Sequence, residues 1–156
     1  MAERVVAELG TELVLETAAS SASISDGSIV ECDSDDRQST DNAGWEYGCF
    51  EFSTAAGGFS AAPTAGAALH VYEQKINSDS NDAPDVDSSY QQDYLFSFTI
   101  DPADAQQHLR KEWVPIAVGG AKYWVEWEDG GAGTASIDAG WELRLIPMAR
   151  KSETVS

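Results

Sequence analysis

The sequence predicts an all-β fold, an antiparallel β-sandwich, and three observations predict it. Apolar and polar residues alternate in strand-length runs through 63–147, most cleanly in Tyr94-Leu95-Phe96-Ser97-Phe98-Thr99-Ile100 and Lys122-Tyr123-Trp124-Val125-Glu126-Trp127. Gly, Pro, Asp and Ser clusters such as Gly119-Gly120 and Asp129-Gly130-Gly131 separate the runs. No stretch sustains the helical period. About eight short strands joined in this way read as a sandwich, with the jelly roll as its specific form.

Residues 1–20 form an N-terminal arm, 21–148 the sandwich, and 149–156 a polar, flexible tail. The arm carries Val5, Val6 and Leu9 before Gly10, then the strand-like Leu13-Val14-Leu15. Asp26-Gly27 turns the chain into Ser28-Ile29-Val30-Glu31-Cys32. In 45–52 both faces carry bulk: Gly48, Phe50 and Phe52 on one side, Trp45, Tyr47 and Cys49 on the other. Leu69 and Val71 oppose His70 and Tyr72 in the next strand. The polar loop 77–89 follows, of a length usually reserved for function or mobility. Tyr94, Phe96, Phe98 and Ile100 are expected on one face. Asp101-Pro102-Ala103-Asp104 offers a turn or a short turn of helix. Pro115 marks 109–118 as an edge or bent strand. Tyr123, Val125 and Trp127 are expected in the core with Trp124, Glu126 and Glu128 outside, and Trp141, Leu143 and Leu145 close the sandwich before Pro147.

Composition limits function. The 156 residues fit one domain. Twenty-seven acids against nine bases give a net charge of -18, which repels nucleic acid and anionic lipid. It also suits a soluble surface or a saline setting. No apolar run reaches the roughly 18 residues of a membrane helix, and Met1-Ala2-Glu3-Arg4 leads into a stretch too short and charged for an export signal. Cys32 and Cys49 could bridge if their strands were neighbours; two buried thiols is the alternative that a reducing cytoplasm favours.

Candidate chemistry is sparse. Loop 77–89 holds Asp79, Asn81, Asp82, Asp85 and Asp87 but has Pro84 and Tyr90 where a calcium loop needs Gly and Glu. His70 and His108 lack a helical zinc partner and read as outward-facing polar residues. The pairs Glu126/Glu128 and Glu46/Glu51 could flank a glycosidic bond, yet chance pairs abound among so many acids. No catalytic residue, metal or cofactor is expected. Trp124 admits three readings: a sugar-stacking platform, an anchor for a protein partner, or a ring covered by the arm.

The order Pro63-Thr64-Ala65-Gly66-Ala67-Ala68-Leu69-His70-Val71-Tyr72, polar loop, Tyr94-Leu95-Phe96-Ser97-Phe98, Val114-Pro115-Ile116, Lys122-Tyr123-Trp124-Val125-Glu126-Trp127 and Trp141-Glu142-Leu143-Arg144-Leu145-Ile146-Pro147 resembles small β-sandwich virion proteins of tailed bacteriophages. These are capsid decoration, or cement, proteins and their structural relatives. The resemblance spans about residues 27–147, opening at Gly27-Ser28-Ile29-Val30; the acidity, the extra tryptophans and the cysteine pair depart from it. It implies a non-enzymatic protein on the outer capsid surface, made in the host cytoplasm, with the major capsid protein as partner and self-association, as a trimer or other homo-oligomer, on the shell. The expected interface comprises Val5, Val6, Leu9, Leu13, Leu15 and Trp124. The competing expectations are a carbohydrate-binding or host-surface adhesin module, and a phage tail component.

Overall fold

The computed structural model describes residues 2–37, 45–76, 85–87, 93–131 and 133–155, which hold nine strands and no helix. They are β1 Ala2–Leu9, β2 Leu13–Glu16, β3 Ile29–Arg37, β4 Tyr47–Ser53, β5 Ala68–Ile76, β6 Tyr94–Thr99, β7 His108–Pro115, β8 Gly120–Glu128 and β9 Glu142–Val155. Two antiparallel sheets pack as a sandwich. One is five-stranded, in the order β1-β9-β4-β7 with β2 also paired to β9; the other is four-stranded, β3-β8-β5-β6. From β2 onward every connection except β5 to β6 passes from one sheet to the other.

Alternation fills the space between the sheets. Phe50 and Phe52 of β4 point inward and meet the facing sheet, with Phe50 at 5.1 Å from Phe96 and 5.5 Å from Tyr123, and Phe52 at 6.0 Å from Phe98 (ring centroids). Leu69, Val71, Tyr123, Val125, Trp127, Leu143 and Leu145 complete the core, all fully buried. Gly48 shares the inward face of β4 because a side chain there would collide with Leu145. The edge position expected from Pro115 is where β7 lies.

Buried polar groups brace the loops. The Arg37 guanidinium donates to Glu73 at 3.4 Å, to the Tyr123 oxygen at 3.1 Å and to the Ala117 carbonyl at 2.5 Å. Glu73 also accepts from the Tyr123 hydroxyl at 2.7 Å and the Ala117 N–H at 2.8 Å. Burial, then the Glu73 charge, pushes the Tyr123 phenol well above its ordinary range, so it stays a donor. Asp129 ties the other end, accepting from the Thr64 N–H and the Ala135 N–H, each at 2.8 Å.

Three expectations need correction. Residues 149–155 are no loose tail, because they continue β9 and pair along β1 from Glu8↔Ala149 to Ala2↔Val155. The arm is not a separate unit, since β2 pairs with β9 and carries Leu15 into the core with none of its surface exposed. Tyr94 does not share a face with Phe96: the register slips between Val71↔Phe96 and Tyr72↔Tyr94, and this bulge turns Tyr94 outward beside Tyr72. Of the two forms open to 101–104 the chain takes the turn: the Asp101 and Asp104 carboxylates accept from the N–H groups of Ala103 and Gln106, as Asx turns do. Cys32 and Cys49 are both buried free thiols, on strands of different sheets.

Candidate interaction surfaces

Two surfaces carry features that the core does not require. The first is a two-stranded ribbon. β4 pairs with β9 only as far as Tyr47↔Met148, and β2 only over Leu143–Leu145. Beyond Met148 the sole strand paired to β9, among the described residues, is β1. Residues 2–9 and 149–155 thus extend past the sandwich with nearly every side chain exposed or half-buried. Val5 is 66% exposed and Leu9 56%. Charge is balanced here: Glu3, Glu8 and Glu153 match Arg4, Arg150 and Lys151, so the whole net charge of -18 resides on the rest of the chain.

A cluster roots the ribbon on the outer face of the five-stranded sheet. Two residues of β7, Glu112 and Trp113, oppose Cys49 alone, between the pairs Gly48↔Val114 and Phe50↔Lys111. Trp113 takes a left-handed backbone, φ 57°, which costs a non-glycine residue about 1–3 kcal/mol. Its ring meets Tyr47 edge-on at 5.6 Å, and the Arg150 guanidinium lies 5.5 Å from its centroid. Met148 stands between Leu9 and Tyr47 in one cross-strand row.

The second surface is the outer face of the four-stranded sheet. Register sets His70 beside Ser97 on one side and Glu126 on the other, and Tyr72 between Tyr94 and Trp124. A hydrogen-bonded chain runs across them. The Tyr94 hydroxyl and Ser97 Oγ are 2.9 Å apart, Ser97 Oγ lies 2.5 Å from His70 Nδ1, and His70 Nε2 lies 2.8 Å from Glu128 Oε2. The Tyr72 hydroxyl donates to Glu126 at 3.0 Å. Burial, reinforced by that bond, pushes the Tyr72 phenol well above its ordinary range. His70, Tyr72, Tyr94, Glu126 and Glu128 line an open depression of about 340 Å³. A second depression, of 430 Å³, lies on the β3 side of Glu126 and Glu128 and adds Asp26 and Asp129.

Ser97, His70 and Glu128 have the residue types of a nucleophile, base and orienting acid. Ser97, however, lies within a strand that pairs along its length, not on the strained turn that raises a nucleophile into a site. The chain of bonds acts instead to fix the two rings and the Glu128 carboxylate.

The structure distributes the expected site residues unevenly. Val5 and Leu9 are exposed and Val6 half-buried on the ribbon. Leu15 is removed from the interface by its burial, and Leu13 packs against the core. Trp124 is half-buried, its indole N–H donating to Gln74 at 2.8 Å, and it lies far along the chain and in the other sheet from the ribbon. Glu126 and Glu128 share a face, but Glu51 is paired with Arg110 at 3.0 Å in a salt-bridged groove that His108 also lines. Loop 77–89 lies outside the described residues except 85–87, where Asp85 accepts from Gln74 at 3.1 Å. Among the described residues no three His, Cys, Asp or Glu side chains are grouped to hold a metal ion. Tyr72, Tyr94 and Ser97 were not expected as site residues; their joining depends on a cross-strand register and a bulge.

Comparison with known proteins finds no matching family model, no matching curated protein and no matching solved structure.

Proposed function

We propose that the chain is a non-enzymatic structural protein of a tailed-phage virion that decorates the outer capsid surface and stabilises it by bridging capsid subunits. The observation that carries the reading is the ribbon: a neutral, apolar-studded pair of strands projecting from a strongly acidic body. A two-stranded ribbon by itself is marginal in water. Its open edges offer main-chain hydrogen bonds to a strand of the major capsid protein or of another copy. Repulsion between bodies of charge -18 disfavours body-to-body contact and leaves the ribbon as the place where a partner can approach. A protein that binds only the assembled lattice stabilises that lattice by mass action.

The strand order supports a finer reading of the fold. Sheets ordered β2-β9-β4-β7 and β3-β8-β5-β6, with chain crossings between them, match the strand order of an eight-stranded jelly roll, and on that ground we read the fold as one with β1 added.

Electron microscopy of the phage particles that carry this chain tests the proposal. The expected result is density on the outer shell at junctions between capsid subunits, lost when residues 2–9 are deleted although the protein still folds. Density confined to the tail, or saccharide binding on a glycan array with no affinity for capsids, overturns it.

A further inference from the structure

We infer that the depression on the outer face of the four-stranded sheet binds the guanidinium group of an arginine side chain presented by a partner protein. The inference goes beyond the virion reading and rests on different residues. The lining has a particular chemistry: two tyrosine rings, a histidine and two carboxylates. Its donors are engaged internally. The Tyr72 hydroxyl donates to Glu126, and the two ring nitrogens of His70 are taken by Ser97 and Glu128. What faces a ligand is therefore carboxylate oxygen and aromatic ring. A carboxylate has about four acceptor positions, so Glu126 and Glu128 can each take a ligand beside their internal bonds.

Acceptors plus ring faces select a cation. An anion is repelled, and a neutral sugar needs donors as well as acceptors. Guanidinium fits better than ammonium because it is planar, stacks on a ring and binds carboxylate through two parallel hydrogen bonds. Tyr94, 52% exposed, supplies the stacking surface, and it is held edge-on to Tyr72 at 5.9 Å and to His70 at 6.2 Å. Glu126 and Glu128, two apart on one strand, are spaced by roughly 7 Å, so they offer two acceptor points rather than one, both to the same side of the Tyr94–Tyr72–Trp124 row. Asp26 and Asp129 in the adjoining depression deepen the negative potential at the pair. The hydrogen-bonded chain from Tyr94 to Glu128 orders the site before the ligand arrives. Because the depression is open and shallow, it takes a side chain projecting from a larger surface.

The probe is the peptide acetyl-Gly-Arg-Gly-amide, titrated into the full chain while NMR follows the Tyr72 and Tyr94 ring signals. Saturable shifts are expected, weakening with added salt. Tyr94→Ala should lower affinity about twofold to fivefold, and the double variant Glu126→Gln/Glu128→Gln should abolish saturation, with both variants keeping the backbone amide spectrum of the folded chain. The lysine counterpart of the peptide should bind more weakly. Shifts that never saturate, or that persist in the double variant, would mean diffuse attraction to an acidic surface and overturn the inference. A neutral oligosaccharide saturating the same rings while the arginine peptide does not would also overturn it.

Discussion

The sandwich body and the ribbon use the same antiparallel ladder and even share one strand, β9, yet they differ in every term that accompanies the ladder. In the body, β9 has partners on both edges and sends Leu143 and Leu145 into a closed aromatic core. Past Met148, among the described residues, it has β1 alone, no second sheet beneath it, and a surface open on both faces. Backbone hydrogen bonding is thus common to both regions. Apolar burial is what separates a part that is stable by itself from a part that is available to a partner. Charge follows the same division, with the acidic excess on the body and none on the ribbon.

The largest expected effect lies where the two sheets meet. Phe50→Ala removes the ring that touches Phe96 and Tyr123, and should cost about 3–5 kcal/mol in urea unfolding. A loss as small as that of a ribbon substitution would erase the distinction between the regions.

Asp129→Asn comes next, at about 1–3 kcal/mol, since it sets an amide against N–H groups that a carboxylate now satisfies. The substitution also changes the pH response. Burial acts to raise the Asp129 pKa, but hydrogen bonds from the Thr64 N–H, the Ala135 N–H and the Thr64 hydroxyl outweigh it, and the net shift is downward. A lowered folded-state pKa contributes stability that is present above the unfolded value, about 3.9 for Asp. That contribution is lost as pH falls through the lower folded-state value. Thermal unfolding from pH 5 downward should therefore show a shallower acid loss in Asp129→Asn than in the parent; equal slopes would contradict the assignment.

At the root of the ribbon, Trp113 sets strain against contact. Trp113→Ala keeps the left-handed backbone and loses the Tyr47 and Arg150 contacts, for a cost of about 1–2 kcal/mol. Trp113→Gly loses the same contacts but relieves the strain, so it should be the more stable of the two by about 1 kcal/mol or more. The reverse order in calorimetry would show that the backbone there is unstrained.

Smallest for stability is Val5→Asp, within about 0.5 kcal/mol because an exposed side chain loses little burial. Its effect should appear only in attachment to the shell, measured by co-sedimentation with capsids. A large stability loss would mean that the ribbon belongs energetically to the body.

Much of the body was legible in the sequence because period-2 alternation reports which face is buried. Phe50, Phe52, Leu69, Val71, Tyr123, Val125 and Trp127 all fall where alternation puts them. Alternation fails where a strand gains a residue: Leu95 shifts Tyr94 to the other face, and no local signal marks that bulge. The polar segment 149–155 read as loose because nothing within it is apolar enough to predict a strand; its pairing is supplied by residues 2–9, more than 140 positions away. Separations of 27 and 58 residues likewise hide the His70, Ser97 and Glu128 chain, which three separate strands assemble. Exposed apolar residues in the arm were readable as Val5 and Leu9, whereas Leu15, of the same type and nearby, is core. Hydrophobicity alone does not say whether a side chain meets its own protein or another.

The position of β9 also sets an order of events during synthesis on the ribosome. The four-stranded sheet can finish once β8 has emerged, because all its members precede residue 129. The five-stranded sheet has no such early route: β1 and β2 are made before the other seven strands, but their only partner among the described residues, β9, is made after all of them. While β3 to β8 are made, those two strands wait with unpaired edges, the condition that invites aggregation or the help of a chaperone. Polar and charged residues at Glu3, Arg4, Glu8 and Glu12 interrupt the apolar ones through that interval. Of the pairings among the nine strands the ribbon is then the last to form, after the body that carries it.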